Sequence, residues 1–373
     1  MKIVRLANFV TPQSGGLRTA LRELGAGYAR AGHDTTLIVP GEREGVVHSE
    51  QGRVITLPGR VVPASGGYRL LVGRARLTRL LEALEPDRVE VSDRTTLRWT
   101  GTWARAHGVR SMMVSHESLA GLATMFGPAM VRPLVDRLNQ RSVGAYDTIL
   151  CTTEWAAGEF RRLDAPNLAR VPLGVDLETF SPERADERLR DWLAPNGELL
   201  LVHCGRLAPE KRADISLDTL AELRRRKVPA VLVIAGDGPR RHTLEVRAAG
   251  LMVRFLGYIP DRDHVARLLA TADVVLAPGP VETFGLAALE AMASGTPAVV
   301  NRASALSEVV GTAGEVMPGH GVAFADAVER IVSLPRAGRE QTARARAELF
   351  DWQTAVEGFL RAHQVPLRVP HGV

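Results

Sequence analysis

Short apolar runs alternate with helix-length amphipathic segments along almost the whole chain of 373 residues. The first pair is KIVRLANFV (2–10), which predicts a strand, and LRTALRELGAGYARAG (17–32), which predicts a helix. The alternation continues to TILCTT (148–153) and ARVPLG (169–174). Strands that alternate with helices form parallel sheets with helices on both faces. The fold class is therefore α/β, and the first half of the chain predicts a doubly wound unit of six or seven strands.

A proline-containing, charge-rich stretch at 176–197 interrupts the alternation, which resumes with ELLLVHCG (198–205). We therefore predict an N-terminal domain over 1–175, a linker, and a second Rossmann-like domain over 198–345. Residues 346–373 predict a C-terminal helix and tail that pack back toward the N-terminal domain. Two doubly wound domains in series predict a cleft between them, because ligands bind at the carboxyl ends of parallel strands.

The formal net charge of +5 is equalled by one stretch, residues 60–110, which holds ten arginines and five acidic residues. Diffuse polycation behaviour is therefore excluded. Nucleic-acid binding is disfavoured because the stretch has no aromatic platform beyond Tyr68 and Trp99. No apolar run approaches the roughly 18 residues that span a bilayer, and the N-terminus lacks the features of a signal peptide, so we expect a cytosolic protein. Cys151 and Cys204 lie in strand-like runs and predict buried thiols.

Part of the arginine-rich stretch predicts an amphipathic helix over 70–84. Its apolar side consists of Leu70, Leu77, Leu81 and Leu84. An adjacent basic stripe consists of Arg69, Arg76 and Arg79. A basic stripe beside an apolar one suits an anionic membrane surface. The alternative is a solvated helix whose leucines belong to the core.

Two glycines, Gly15 and Gly16, lie where the first strand turns into the first helix. Glycines at such a turn let helix-terminal N–H groups face an anion. The pattern is not G-x-G-x-x-G, and no acidic residue follows at the ribose-binding spacing, which weakens a dinucleotide interpretation. A plain strand-to-helix turn remains the alternative.

The segment CGRLAPEKR (204–212) places Arg206 and Lys211 on a loop at the end of a strand. A guanidinium fork and a compact ammonium in one loop can hold a diphosphate from two sides. The alternative is a surface salt bridge.

The run PGPVETFGLAALEAMASGTPAVV (278–300) predicts a strand end, a loop with Glu282 and a helix that begins near Thr283 to Gly285. The first amides of such a helix, on Phe284, Gly285 and Leu286, can bind phosphate oxygens. Glu290 follows Glu282 by eight residues, and because Glu282 precedes the helix, the two acids can reach opposite ends of one elongated ligand. Two solvated acids are the alternative, although Glu290 lies among apolar residues.

Five elements together resemble the retaining glycosyltransferases of the GT-B class, family 4: Gly15 with Gly16, GRLAPEK (205–211), AGDGP (235–239), FLGYIPD (255–261) and ETFGLAALE (282–290). The resemblance is closer to the actinobacterial phosphatidylinositol mannosyltransferases, through ANFVTPQSGGLRTAL (7–21), EVSDRTTLR (90–98), ILCTTEWA (149–156) and VPLGVDLETFSP (171–182). It implies the GT-B fold, two doubly wound Rossmann-like domains that face an interdomain cleft. The use of arginine at 44 of 47 basic positions fits a GC-rich coding background.

The resemblance implies a nucleotide-sugar site. Its donor-contacting residues would be Gly15, Gly16, Arg206, Lys211, Gly236, Tyr258, Ile259, Asp261, Glu282, Thr283, Phe284, Gly285, Leu286 and Glu290. Its catalytic residues would be His116, Arg206, Lys211 and Glu282. His116 ends the predicted strand 111–116 and matches the family histidine that contacts the transferred sugar; a structural histidine is the alternative.

The family pattern implies same-face attack, in which the leaving phosphate accepts the proton of the acceptor hydroxyl. Arg206, Lys211 and helix-terminal amides can stabilise the leaving diphosphate without a metal, and no D-x-D run follows a strand, so we predict metal independence and no cofactor.

The implied donor is GDP-mannose, and the implied acceptor is a phosphatidylinositol mannoside that is extended through an α-1,6 linkage. Acceptor-binding residues would be Ser65, Gly67, Arg69, Asp93 and Arg94. The basic stripe would hold the protein on the inner face of the plasma membrane. Alternatives are a glycosyltransferase with another nucleotide sugar or a soluble acceptor, a non-hydrolysing sugar-nucleotide epimerase, and a non-catalytic nucleotide-sugar-binding protein.

Overall fold

The computed structural model describes residues 1–10, 15–62, 67–124 and 128–364. It divides the chain into two compact units. The N-terminal unit comprises Met1–Gly174 and the segment that begins at Trp352, and the C-terminal unit comprises Val175–Asp351. Both units have the parallel sheet and the covering helices that the alternation predicts, so the α/β fold class is confirmed.

The strands of the N-terminal unit are β1 (Lys2–Leu6), β2 (Asp34–Gly41), β3 (Gly45–Ser49), β4 (Gly52–Pro58), β5 (Arg60–Val61), β6 (Arg69–Leu70), β7 (Arg88–Val91), β8 (Arg110–Ser115), β9 (Thr148–Cys151) and β10 (Leu168–Arg170). Its helices up to Gly174 are α1 (Gly16–Arg30), α2 (Arg74–Leu84), α3 (Trp99–Ala106), α4 (Leu119–Thr124), α5 (Pro128–Ala145) and α6 (Glu154–Arg161). The large sheet has the order β10-β9-β8-β7-β1-β2-β4-β3, and β3 runs antiparallel to β4. Its central parallel strands bury their apolar residues, as parallel sheets do.

The large sheet of the N-terminal unit has eight strands within the described residues, one more than the upper prediction. The additional strand is β3, the antiparallel edge, in which Val46 and Val47 are exposed. An exposed edge strand buries no apolar face and therefore leaves no periodic signal in the sequence.

The predicted helix over 70–84 begins only at Arg74, because Gly73 precedes it with a φ of 89°. Arg69 and Leu70 instead form β6, which pairs with β5. The predicted stripe of three arginines on one helix is therefore wrong for Arg69, while Arg76 and Arg79 remain exposed on α2. Leu77 and Leu81 are buried in the core, so the apolar side of this helix packs inward.

The C-terminal unit contains the strands β11 (Leu199–Cys204), β12 (Ala230–Ala235), β13 (Val253–Gly257), β14 (Val274–Ala277), β15 (Ala298–Asn301) and β16 (Glu315–Met317). Its helices are α7 (Glu187–Leu193), α8 (Ala213–Arg225), α9 (Arg241–Arg247), α10 (Arg262–Thr271), α11 (Leu286–Ala293), α12 (Leu306–Val310), α13 (Gly321–Ser333) and α14 (Arg336–Ala347). The sheet is parallel and has the order β13-β12-β11-β14-β15-β16. Every residue of β12 is buried, as a continuous apolar run requires.

The stretch 176–197, predicted as a linker, is folded within the C-terminal unit. It contains a 3-10 turn at Pro182–Arg184 and helix α7. Arg190 of α7 forms an ion pair of 2.7 Å with Asp273, which precedes β14. The charges of this stretch are therefore used in packing.

The last described helix, α15 (Trp352–Ala362), belongs to the N-terminal unit. His363 follows it, with Nε2 3.0 Å from the Glu90 carboxylate of β7. Arg88 donates a hydrogen bond of 2.8 Å to the His363 carbonyl oxygen. These contacts fasten α15 to the central strands. Among the described residues, no helix is long and apolar enough to cross a membrane.

Candidate active site

The strand order of the C-terminal unit reverses between β11 and β14. Strands β12 and β13 extend from one side of β11, and β15 and β16 extend from the far side of β14. Such a reversal opens a crevice at the carboxyl ends of parallel strands, where ligands bind. We call this place the C-terminal crevice. The loops after β11, β12, β13 and β14 lie at this edge and carry most of the predicted donor-contacting residues.

Two glycines bring the first loops of the crevice into close backbone contact. A Cβ on Gly236 would lie 1.9 Å from the carbonyl oxygen of Gly205. A Cβ on Gly238 would lie 2.5 Å from the carbonyl oxygen of Leu207. The structure therefore explains why position 236 is a glycine. Any side chain here would push the loop of Arg206 away from the loop after β12.

Lys211 and Glu282 face each other across the crevice. Lys211 ends a 3-10 turn at Pro209–Lys211, and its Nζ lies 2.5 Å from Oε1 of Glu282 in the loop after β14. The two side chains remain 31% and 21% exposed. Burial lowers the pKa of Lys211, but the Glu282 carboxylate more than offsets this, so the pKa is raised overall. Lys211 is therefore a cation at neutral pH.

Arg206, in the loop after β11, forms an ion pair with Glu210 four residues later. Backbone packing holds this loop tightly, because a Cβ on Gly279 would lie 2.9 Å from the carbonyl oxygen of Glu210 and 3.4 Å from the Cα of Lys211. The predicted salt-bridge alternative and the predicted cation pair therefore coexist: both cations are present, and each faces a carboxylate.

The element from Glu282 to Glu290 has the predicted arrangement. Glu282 lies in the loop, and α11 begins at Leu286 after Gly285, whose φ is 78°. A Cβ on Gly285 would lie 2.1 Å from a methyl group of Leu306. Thr283, Phe284 and Leu286 are buried, so these residues can offer a ligand their backbone and not their side chains.

Glu290 is held by an arginine and is not a solvated acid. Its Oε1 accepts a hydrogen bond of 3.2 Å from Arg262, and its side chain is 13% exposed. The Arg262 guanidinium lies over the Phe180 ring at 4.9 Å from its centroid. The sequence analysis did not identify Arg262. Its position at the start of α10, directly after Asp261, is the feature that could have identified it.

Three of the predicted donor-contacting residues follow β13. Tyr258 is exposed, and Ile259 is partly buried. Asp261 caps α10, since its carboxylate accepts a hydrogen bond of 2.9 Å from the amide of Asp263. The carboxylate is thus engaged in helix capping, while the backbone around Tyr258 remains at the edge of the sheet.

The N-terminal unit has its own order reversal, between β1 and β7, which we call the N-terminal crevice. Asp93 lies there and is 4% exposed. Its carboxylate accepts hydrogen bonds of 2.8 Å from the Asn8 amide and 2.7 Å from the backbone N–H of Thr95. Asn8 in turn accepts 2.7 Å from the amide of Leu71. Asp93 therefore organises these loops, and its contact with the acceptor stays a prediction.

Asn8 was missed by sequence reasoning. It is fully buried and joins the end of β1 to the segment between β6 and α2. A single amide inside the apolar run that follows β1 was the signal that could have identified it, because buried polar side chains need partners.

Arg94 was predicted to bind the acceptor, and its guanidinium is bonded to groups of its own unit. It is 5% exposed, and its guanidinium bonds to Glu159 at 2.8 Å and to Asn139 at 3.1 Å. The Ser115 hydroxyl and the Glu117 carbonyl oxygen accept further hydrogen bonds from it. A buried arginine that is bonded to this extent supports the fold, because breaking such a pair typically costs about 3–5 kcal/mol. Its contact with the acceptor stays a prediction.

His116 directly follows β8 in the N-terminal unit. Burial lowers its pKa to about 4; the Glu90 carboxylate opposes this shift and the Arg94 charge adds to it. The imidazole is therefore neutral at pH 7. A neutral imidazole can donate or accept a hydrogen bond with a sugar hydroxyl, but it is not protonated and so cannot act as a general acid.

The remaining predicted residues also lie in the N-terminal unit. Gly15 precedes α1 and Gly16 begins it, and a Cβ on Gly15 would meet no atom within 4 Å. Gly67 has a φ of 96°. Arg69 donates hydrogen bonds of 3.1 Å to the Gly59 carbonyl and 2.9 Å to Glu42. Ser65 lies outside the described residues.

Solved structures identify the fold class. The sucrose-phosphate synthase of Thermosynechococcus elongatus matches with a TM-score of 0.77 at 20% identity, over 98% of each chain. HepE of Anabaena, solved in complex with UDP-glucose, matches with a TM-score of 0.76 at 18% identity, over 97% of this chain and 100% of that one. The fold is that of the GT-B class, as predicted.

Sequence relatives identify the family. Residues 198–333 match the family described as "Glycosyl transferases group 1", and residues 15–174 match "Glycosyl transferase 4-like domain". A GDP-mannose-dependent alpha-(1-6)-phosphatidylinositol dimannoside mannosyltransferase of Mycobacterium tuberculosis is 51% identical over 96% of this chain and 95% of its own length. A GDP-mannose-dependent alpha-mannosyltransferase of Mycolicibacterium smegmatis is 29% identical over 83% and 82%. The chain belongs to the group 1 glycosyltransferase family, which confirms the resemblance, and it is an enzyme.

Proposed function

We propose that this enzyme transfers mannose from GDP-mannose to a phosphatidylinositol mannoside through an α-1,6 linkage. The observation that carries the proposal is the 51% identity over 96% of the chain to the mannosyltransferase of Mycobacterium tuberculosis. The C-terminal crevice supports it, because its loop after β11 carries two cations, and a leaving diphosphate needs positive charge.

Arg206 and Lys211 hold the diphosphate of the donor. In the structure each cation faces a carboxylate, so diphosphate oxygens replace Glu210 on Arg206 and Glu282 on Lys211. The amides at the start of α11 add further donors. These charges stabilise the leaving group without a metal, and Glu282, released from Lys211, faces the hydroxyls of the transferred sugar.

Transfer takes place on one face of the sugar. The bond from the anomeric carbon to the diphosphate breaks, the acceptor hydroxyl oxygen bonds to the same face of that carbon, and the leaving phosphate takes the hydroxyl proton. Neutral His116 orients the sugar. The anomeric proton of the product, followed by NMR from the first turnover, should show α configuration; a β product contradicts retention.

Gly15, Gly16, Gly236 and the backbone around Tyr258 border the donor in this proposal. Gly67 and Arg69, with Ser65, contact the acceptor. Arg69 suits the inositol phosphate for two reasons. The Gly59 carbonyl oxygen holds its guanidinium in place, and its other partner, Glu42, is largely exposed, so that an anion can replace it.

Peripheral membrane association uses the exposed arginines of α2. Arg76 pairs with the exposed Glu44, and Arg79 bonds back to the carbonyl of Ala75. Each basic residue near an anionic surface contributes about 1 kcal/mol. The Arg76→Ser/Arg79→Ser variant should therefore lose about tenfold or more in sedimentation with phosphatidylinositol-containing vesicles.

The matched control for the vesicle experiment is Arg224→Ser/Arg225→Ser, which removes the same charge from the C-terminal unit. Equal sedimentation of the α2 variant and the wild type would refute the membrane surface. Vesicles of neutral phosphatidylcholine alone should bind neither protein.

The activity test uses GDP-mannose and phosphatidylinositol dimannoside, with the product detected by mass spectrometry. Product with one additional hexose, formed in the presence of EDTA, supports the mannosyltransferase and metal independence. An epimer formed from donor alone would favour the epimerase alternative. Donor binding with no transfer to any phosphatidylinositol mannoside would favour the binding protein, and preferred turnover of UDP- or ADP-sugars would reject the donor assignment.

A further inference from the structure

The C-terminal crevice carries its own counter-anions. Arg206 pairs with Glu210, and Lys211 pairs with Glu282, so two positive and two negative side chains give this cluster no net charge. A crevice that only had to attract a diphosphate would need the cations alone. The role of Glu282 toward the donor sugar explains one carboxylate and leaves Glu210 without a function.

Glu210 is placed to compete with a diphosphate. It shares the 3-10 turn Pro209–Lys211 with Lys211, and its carboxylate reaches back to Nη2 of Arg206. Gly279 lies close to this turn, because a Cβ on Gly279 would lie 2.9 Å from the Glu210 carbonyl oxygen, so the backbone that carries Glu210 packs directly against the loop of Glu282. The charge of Glu210 also raises the pKa of Lys211, so this carboxylate interacts electrostatically with both cations.

We propose that Glu210 is a positioning residue that occupies Arg206 in the unliganded enzyme and, by competing with phosphate oxygens, limits the affinity for the nucleoside diphosphate product. This inference rests on the proposed donor site. The Glu210 carboxylate, which stays close to the cations, repels the diphosphate and pairs again with Arg206 when the diphosphate leaves. Glu210 therefore favours release of product over its retention.

The test measures GDP affinity by isothermal titration calorimetry for the full-length wild type and Glu210→Gln. The variant keeps the shape of the side chain and removes its charge, so it should bind GDP about three- to tenfold more tightly and show an equally lowered inhibition constant for GDP in turnover assays. Glu210→Asp, which keeps the charge, should stay near the wild-type affinity. The control is Glu340→Gln, because Glu340 forms the same i, i+4 pair with Arg336 on α14.

Unchanged or weaker GDP binding by Glu210→Gln would overturn the proposal. If Glu210 merely held Arg206 in place, removal of its charge would lower the affinity of the enzyme for GDP. Tighter binding by the Glu340→Gln control to the same extent would also overturn it, because the effect would then be one of overall charge. A wild type that binds no GDP at all would instead reject the proposed donor site, which keeps the two failures distinct.

Discussion

The two crevices of this chain have the same topology and opposite chemistry. In the C-terminal crevice the facing side chains are Lys211 and Glu282, which are charged and partly exposed. In the N-terminal crevice they are Asn8 and Asp93, which are buried and bonded to each other and to neighbouring loops. The same strand-order reversal thus holds an exchangeable ion pair in one unit and a closed hydrogen-bond network in the other.

The difference shows how burial decides the use of a polar side chain at a strand end. A partly exposed ion pair is worth little to stability, so a ligand can replace it at small cost. A buried carboxylate with several donors is expensive to disturb, because any lost bond leaves a desolvated group. Substitutions in the C-terminal crevice should therefore change ligand binding, and those in the N-terminal crevice should change folding.

The largest effect is expected for Lys211→Ala. Loss of the ammonium removes a charge from the leaving diphosphate, so kcat/KM should fall by about 10²- to 10³-fold, while the free energy of unfolding changes by less than about 1 kcal/mol. Steady-state kinetics and chemical denaturation give both values. Arg336→Ala is the control for lost positive charge. Near-wild-type turnover would show that Lys211 does not bind the diphosphate, and the two crevices would then not differ in the way described.

The next effect is expected for Asp93→Asn. An amide in place of the carboxylate presents N–H groups to the donors of Asn8 or Thr95, so the free energy of unfolding should fall by about 2 kcal/mol. The dissociation constant for GDP should stay within about twofold. Asp87→Asn is the control, because Asp87 also accepts a backbone N–H, from Lys2, but is exposed. An Asp93→Asn variant with native stability and lost transfer would favour the predicted contact between Asp93 and the acceptor.

Much of the fold could be read from the sequence because its signals are local. The run AVLVIA predicts a buried strand, and it is one. The start of α2 could not be read, because leucines and arginines continue the helical pattern while Gly73 and the pairing of β6 with β5 end it. That pairing depends on residues outside the window of the pattern.

The site shows the same division. Arg206, Lys211 and Glu282 could be placed at strand ends because a loop after a strand is a local feature. Arg94 also follows a strand, yet Glu159, 65 residues later, holds it in the interior. No local pattern distinguishes a strand-end arginine that faces solvent from one that a distant acid buries.

A smaller effect is expected for Glu290→Gln. If Glu290 accepts hydrogen bonds from ribose hydroxyls, the amide keeps the shape and loses a charged acceptor, so KM for the donor should rise by about tenfold with little change in kcat. Glu245→Gln is the control, because Glu245 is an exposed acid that pairs with Arg241 in the same unit. A fall in stability with unchanged KM would show that Glu290 serves only Arg262, and the C-terminal crevice would then resemble the N-terminal one at this position.

The smallest effect concerns pH and His203, a buried residue of β11. Burial lowers the pKa of His203 to about 4, with a further contribution from the Lys211 charge, and Nδ1 lies 3.0 Å from the Ser216 hydroxyl. Between its ordinary pKa of about 6.5 and the folded value, the unfolded chain binds a proton that the folded chain does not. The free energy of unfolding should therefore fall as the pH falls through this window.

His203→Gln removes this protonation, so the variant should lose about 1 kcal/mol less stability than the wild type between pH 7 and pH 5.5. Denaturant titrations at several pH values measure it. His116 has a pKa lowered to about 4 in the N-terminal unit and contributes a slope of the same sign, so His203→Gln should flatten the curve only in part. A variant with an unchanged slope would show that folding does not change the pKa of His203, and the C-terminal unit would then not bury this imidazole in its neutral form.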